Sequence, residues 1–291
     1  MLLSALISGL GLGSMYGLMA LGFYVTYAVS GTVNFAQGSS MMLGAVLTFA
    51  FAQTLGWPLW AAIVLALALC ALYGLVVEFV AVRPFARRGS DAWLMATVAL
   101  GIVLDNLVLF TFGKEPRSLP SPLAQTPLNL GDVGLGLYPL QVLIPVVGLA
   151  LAAVLHLLSR RTRWGTGMLA VVQNPSAARL MGIPIQRAIA LAFALSALFA
   201  GIAGVLIAPL FNVASDMGTL FGLKAFAVAI LGGITSAWGV MIAGLLFGLV
   251  EASITSTLGS GYTQIITFAL VIVALAWRPN GLFGRAEVKK V

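Results

Sequence analysis

The 291 residues are 61% hydrophobic and 8% charged, with a mean hydropathy of +1.08. A soluble domain carries about 25% charged residues, so this chain cannot cover a globular surface with polar side chains; it is an integral membrane protein. The formal charge of +7 would suit nucleic acid, but twelve of the fifteen basic residues fall in three clusters. These are Arg83, Arg87 and Arg88; Arg160, Arg161, Arg163, Arg179 and Arg187; and Arg278, Arg285, Lys289 and Lys290. Short basic connections of this kind mark the cytoplasmic face of a multi-pass protein, so the basicity reports topology and excludes a nucleic-acid partner.

From Met1 to Val77 there is no Asp, Glu, Lys, Arg or His, and about 20 apolar residues cross the hydrocarbon core as a helix. Apolar stretches run over 2–28, 33–55, 57–82, 91–112, 139–158, 186–210, 217–234, 236–255 and 262–277. Leu59 to Val77 is continuously apolar and Leu140 to Leu158 is so apart from Gln141 and His156, unlike the alternating strands of a membrane barrel. The expected fold is all-α: a polytopic helical bundle of eight to nine transmembrane segments, with Gly-broken helices in two related halves. Nine crossings place all three basic clusters on one side, with the N-terminus outside and the C-terminus inside. If a Gly-broken stretch turns back, the count is eight. The chain is expected to form one transmembrane domain over 1–291, with an external loop at 113–138 and a cytoplasmic loop at 159–187.

The first stretch carries Gly9, Gly13 and Gly17, a small face for packing within the bundle or against another subunit. Between the first two stretches lies SGTVNFAQGSSMMLG, with Asn34, Gln37 and Gly38; between the seventh and eighth lies LGGITSAWG, with Gly232 and Gly233. Broken polar segments in matching halves point to a substrate pathway, because unwound backbone survives at membrane depth only where it lines protein or water. The competing reading is two ordinary turns at helix ends. Trp57, Trp60, Trp93 and Trp277 are anchors at headgroup depth, Trp93 following a capping pair of Ser90 and Asp91. Cys70 lies in an apolar run without an intrachain partner and faces lipid or fills the core.

Ionisable groups away from the clusters are Glu78, Asp105, Lys224 and Glu251. Glu78 is expected at the interface. Asp105, Asn106 and Glu251 are candidates for buried polar pairing, with Lys224 either pairing with one of these carboxylates or snorkelling outward. The Pro-rich external loop, with Pro116, Pro120, Pro122, Pro127 and Asp132, is an ordered cap or a docking loop. One histidine, His156, makes no metal pair or catalytic triad, and no GxxxxGK[ST] phosphate loop occurs. The chain itself therefore has no catalytic residues, metal site or cofactor.

The longest basic connection contains NPSAARLMGIP. Asn174 is a good N-cap, Pro175 suits the first helical position, Gly182 is a stop and Pro184 prevents continuation. This predicts a helix from Pro175 to Met181, with Ala177, Leu180 and Met181 on one face and Arg179 on another. So short a helix is unstable alone and must dock, on lipid headgroups or on a partner protein.

At this point the chain resembles the permease subunits of branched-chain (hydrophobic) amino acid ABC importers, of the LivH type. The resemblance is carried by GLGLGSMYGLMALGF from Gly9, SGTVNFAQG from Ser30, VEFVAVRPFARR from Val77, the 174–184 loop, SALFAGIAGVL from Ser196 and LKAFAVAILGG from Leu223. It continues through AGLLFGLVEA from Ala243 to RPNGLFGRAEV near the C-terminus. Gln37 stands where many members have His, and ITSAWG from Ile234 replaces the commoner GLGSxxG style. The resemblance implies a bacterial inner-membrane subunit paired with a homologous LivM-like permease and two LivG/LivF-like ATPase subunits that hydrolyse ATP. A periplasmic substrate-binding protein delivers the cargo. Pro175, Ala177, Arg179, Leu180, Met181 and Gly182 then correspond to a helix that couples to the ATPase. A urea, amide or small-acid permease of the same family, or a passive small-solute channel, is the alternative.

Overall fold

The computed structural model describes residues 2–86, 88–126, 138–278 and 281–284, without the side chains of 2–4, 164 and 175. Arg87, Pro127, Asp132, Arg285, Lys289 and Lys290 lie outside these residues, as do the middle of the external loop and most of the C-terminal motif. The chain is all-helical in its regular structure: α1 (Leu2–Ser30), α2 (Gln37–Phe49), α3 (Leu59–Val77), α4 (Arg83–Ala86), α5 (Trp93–Phe112), α6 (Pro122–Gln125) and α7 (Pro139–Arg161). Then come α8 (Arg163–Gln173), α9 (Pro175–Leu180), α10 (Ile185–Ile207), α11 (Met217–Gly232), α12 (Ala237–Leu258) and α13 (Ser260–Trp277). A π-helical turn, Ala50–Thr54, extends α2, and another, Glu78–Val82, joins α3 to α4.

Seven of these are long and apolar enough to cross a bilayer: Ala5–Ser30, Leu59–Ala86, Trp93–Phe112, Pro139–Arg161, Ile185–Ile207, Ala237–Leu258 and Ser260–Trp277. The protein is therefore multi-pass. Two of the nine apolar stretches yield shorter helices. α11 has 16 residues, about 24 Å at ~1.5 Å per residue, and α2 has 13, or 18 with its π turn, against a core of about 30 Å. The stretch 33–55 opens with non-helical chain, and Gly233, at φ +79°, ends α11. Apolar composition measures the length of a stretch, not the length of helix within it.

The chain divides into two compact units, and α1, α7 and α11 contribute residues to both. The first unit comprises Met1–Tyr24, Ser121–Ala152 and Lys224–Val291. Its centre is a crossing of α1 and α12 along glycines. A Cβ at Gly13 would meet the Gly244 carbonyl and Leu245, and one at Gly9 would meet Ala252 and the Gly248 carbonyl. Small residues let the two backbones touch, and dispersion replaces the hydrophobic force that lipid removes. Tyr16 packs edge-on to Phe247, and Phe23 to Phe226.

The second unit comprises Val25–Pro120 and Ala153–Leu223, with α2 packed against α3, α5 and α10. A Cβ at Gly44 would strike the Gly201 backbone, and one at Gly74 the backbone of Phe193. Cys70 is fully buried in this packing. In the described part of the external loop, Arg117 and Val213 exchange backbone hydrogen bonds of 2.9 and 2.8 Å. The Arg117 side chain donates to the Phe112 carbonyl at 2.9 Å and lies over the Phe112 ring.

Candidate functional site

α2 begins deep inside the second unit. After Gly31 at φ +65°, the chain turns at Asn34, whose Oδ1 accepts from the Ala36 N–H at 3.1 Å. Gln37 opens the helix. Its Nε2 donates to the Ser196 carbonyl at 3.0 Å, while its Oε1 accepts from Ser196 Oγ at 2.7 Å and Asn34 Nδ2 at 3.4 Å. Asn34, Gln37 and Ser196 are all fully buried. An unmet amide at this depth costs several kcal/mol, so the three side chains are held by each other.

Contacts on three helices give the level of this network. Ser40 accepts from Cys70 Sγ at 3.6 Å, and Cys70 is the twelfth of 19 residues in α3. A Cβ at Gly101, ninth of 20 in α5, would lie 3.0 Å from Ser39 Oγ. Ser196 is twelfth of 23 in α10. The first turn of α2 thus lies about halfway along α3, α5 and α10. It brings the positive end of a helix dipole to that level. Gly38 meets the start of α11 so closely that a Cβ would strike the Gly218 carbonyl.

Asp105, one turn beyond Gly101 on α5, faces the Ser39 side chain, with its Oδ1 buried and unpartnered among the described residues. Asn106 is exposed, and its amide donates to the Ile102 carbonyl of its own helix at 2.8 Å; the structure does not bring it to another charged group. Lys224 and Glu251, both in the first unit, form an ion pair of 2.5 Å with side chains 14% and 10% exposed. Tyr16 lies under the Lys224 ammonium, 5.8 Å from ring centroid to Nζ.

Gly232 and Gly233 end α11 in a tight turn of the first unit. Ser236 caps α12 by accepting from the Gly239 N–H at 3.1 Å, and Leu282 donates to the Leu231 carbonyl at 2.7 Å. A Cβ at Gly233 would meet Gly284, so the chain near the C-terminus fills the space beside this turn.

Glu78 is 2% exposed and receives two hydrogen bonds from Arg83, at 3.0 and 2.8 Å. At this end of an apolar stretch it is enclosed by the chain itself, with Arg83 as its partner. In an α-helix, residues five apart point about 140° away from each other; the π turn from Glu78 to Val82 brings them together. The apolar pattern carries no signal of this pair.

The basic connection holds two helices. α7 ends at Arg161, and α8 starts after Thr162, whose Oγ1 accepts from the Gly165 N–H at 3.0 Å. Gly165 lies against the Leu158 and Ser159 backbone. Asn174 caps α9 by accepting from Ala177 N–H at 3.0 Å; Met181 comes after its last residue, and Gly182 stops it at φ +77°. Ala178, not Ala177, is the buried residue of α9. Leu180 and Met181 are 89% and 81% exposed, and Arg179 is exposed beside them.

Among the described residues no group of three His, Cys, Asp or Glu is placed to hold a metal ion. Comparison with known proteins gives a consistent family. The family model described as "Branched-chain amino acid transport system / permease component" matches residues 5–275. The chain is 34% identical over 301 residues to the high-affinity branched-chain amino acid transport system permease protein LivH of Escherichia coli K12, covering 99% of this chain and 97% of that one. It is 32% identical over 304 residues to the corresponding protein BraD of Pseudomonas aeruginosa, covering 99% and 98%. A probable LivH of Methanocaldococcus jannaschii is 27% identical over 279 residues, covering 92% and 88%.

Proposed function

This chain belongs to the permease-component family of branched-chain amino acid transport systems, and we propose that it carries branched-chain or related hydrophobic amino acids inward across the bacterial inner membrane. It is a non-catalytic membrane subunit. ATP is hydrolysed by two partner ATPase subunits, cargo arrives on an external binding protein, and a homologous second permease completes the pathway. An even number of crossings between basic clusters sets Arg88, Arg161 and the C-terminus in the cytoplasm and Pro120 outside, over eight or nine crossings.

Within the subunit, the pathway passes the start of α2. Asn34 and Gln37, buried and bonded to each other and, through Gln37, to Ser196, fix the helix start and Gly38 beside it, and the helix end supplies a partial positive charge. Such a lining suits brief passage of a zwitterion, with affinity supplied by the external protein. Gly232 and Gly233 are left out of this assignment, because chain from the same unit fills their turn.

The observation that carries the coupling is the pair Leu180 and Met181, almost fully exposed at the tip of a capped six-residue helix. Burying them in an ATPase cleft contributes roughly 1.5–3 kcal/mol each. Closure of that cleft then pulls on α9 and, through the short connections, on α7 and α10. Leu180→Asp is expected to abolish uptake and release the ATPase subunits while the membrane fold and external docking survive. Normal uptake by this variant, in a strain without other uptake systems, would defeat the coupling role.

A further inference from the structure

The second unit contains a cleft of about 570 Å³ that the transport reading does not use. It lies between α8 and the first two turns of α10. Arg163 and Arg187 stand on its rim, Thr166 and Gly167 line it from α8, and Met168 and Leu191 give it apolar surface. Neither arginine makes an ion pair among the described residues. No carboxylate is available nearby in sequence, because the chain has no Asp or Glu between Asp132 and Asp216. Two guanidiniums therefore share one cavity with nothing in this segment to neutralise them.

Position decides what kind of anion belongs there. Arg187 is the third residue of α10, and Leu191 lies one turn further into that apolar span. The cleft thus opens at the level where a span enters the bilayer, and on α10 the apolar Leu191 lies one turn deeper than the charged Arg187. That order matches a phospholipid: phosphate first, then glycerol and acyl chain. The exposed tip residues Leu180 and Met181 are not part of the lining, although Gly182 directly after them is. A Cβ at Gly167 would meet no atom within 4 Å, so this face of α8 is open space.

We propose that this cleft binds the headgroup of an anionic phospholipid, with its phosphate between Arg163 and Arg187 and an acyl chain along Met168 and Leu191. Guanidiniums suit phosphate because they present a planar fork of donors. Basic pockets at the cytoplasmic ends of membrane helices are recurrent headgroup sites. The proposal does not depend on what the protein transports. It ties the connection between α7 and α10, through α8, to the composition of the leaflet that it meets.

The test is native mass spectrometry of the full-length chain, released from nanodiscs of phosphatidylcholine containing phosphatidylglycerol. The wild type is expected to retain phosphatidylglycerol. Near the surface each arginine contributes about fivefold to such binding, so Arg163→Gln/Arg187→Gln should weaken retention by roughly thirtyfold. Gly167→Glu, which has room to fold, should do the same by placing a carboxylate in the cleft. Arg160→Gln/Arg161→Gln removes equal charge outside it and should retain the lipid. Equal retention by all four proteins would overturn the site. Displacement of the lipid by millimolar inorganic phosphate alone would also overturn it, reassigning the cleft to a free anion. Normal lipid retention by the double variant would likewise show that the two arginines do not hold the lipid.

Discussion

The start of α2 and the whole of α9 use the same local chemistry and end in opposite situations. Each helix is introduced by an asparagine whose Oδ1 accepts a backbone N–H, from Ala36 in one case and from Ala177 in the other. In α2 every neighbouring polar side chain finds its partner inside the chain: Gln37 with Ser196, and Asn34 with Gln37. In α9 the apolar residues at the end, Leu180 and Met181, find none. Only α9 is capped by its asparagine; Asn34 makes a turn ahead of α2, whose N-cap position is Ala36. The side chains beyond the asparagine decide whether the helix is held by its own chain or offered to another.

The largest effect should come from prising α2 away from α10. At Gly204 a Cβ would run into the Met41 carbonyl, and neither backbone can yield. Gly204→Leu should cost more than about 4 kcal/mol, among the exceptional values for single substitutions, and leave no monodisperse protein on size-exclusion chromatography in detergent. Gly261→Leu in α13, where a Cβ meets no atom within 4 Å, should elute as wild type. Similar behaviour of the two variants would mean that the close crossing does not hold the second unit.

A smaller loss should result when the crossing is kept and only the polar lock is removed. Gln37→Ala leaves Ser196 Oγ and Asn34 Nδ2 without that partner, at about 1–3 kcal/mol for each group that stays unsatisfied, while the Ser196 carbonyl keeps its place in α10. We expect a loss of about 2–5 kcal/mol in thermal stability on that scale, together with impaired uptake. Adding Ser196→Ala removes one orphan and should restore part of it, so the double-mutant cycle has a coupling term. Strict additivity would show that Gln37 and Ser196 do not act as a pair.

Much of this is legible in the residues, and the reasons for the remainder are physical. Apolar runs announce helices because lipid demands internally bonded backbone, and Asn174, Pro175 and Gly182 announce α9 because caps and stops act within a few residues. The level of the α2 start is different. It is set by Cys70, Gly101 and Ser196, which lie between 30 and 159 residues away from their partners on α2, and no local pattern carries that distance. The Ser196 role is concealed for the same reason, since one serine in an apolar helix is ordinary until Gln37 is seen opposite. Glu78 and Arg83 are paired by a π turn that the α-helical period does not foretell. Lys224 has two outcomes open to it, and only the packing of α11 and α12 selects Glu251. α8 escapes a reading of the residues because Gly165 and Gly167 weaken its helical signal, although Thr162 supplies a cap.

The smallest effect sharpens the comparison most, because it separates the cap from the tip of α9. Asn174→Ala removes the side-chain acceptor of the Ala177 N–H and should cost α9 about 1 kcal/mol, the usual worth of an N-cap. Six residues cannot form a stable helix in isolation, so that loss should show itself as faster amide exchange at Ala177 and Ala178, with α10 unchanged. Asn174→Ser keeps an acceptor and should exchange as wild type. Since Leu180 and Met181 remain in place, ATPase subunits should still associate, but about fivefold more weakly, as ~1 kcal/mol of ordering is now supplied by binding itself. A full loss of association from Asn174→Ala would mean that the cap region, and not the exposed tip, makes the contact. No change in exchange would mean that neighbouring chain, rather than its own cap, keeps α9 folded.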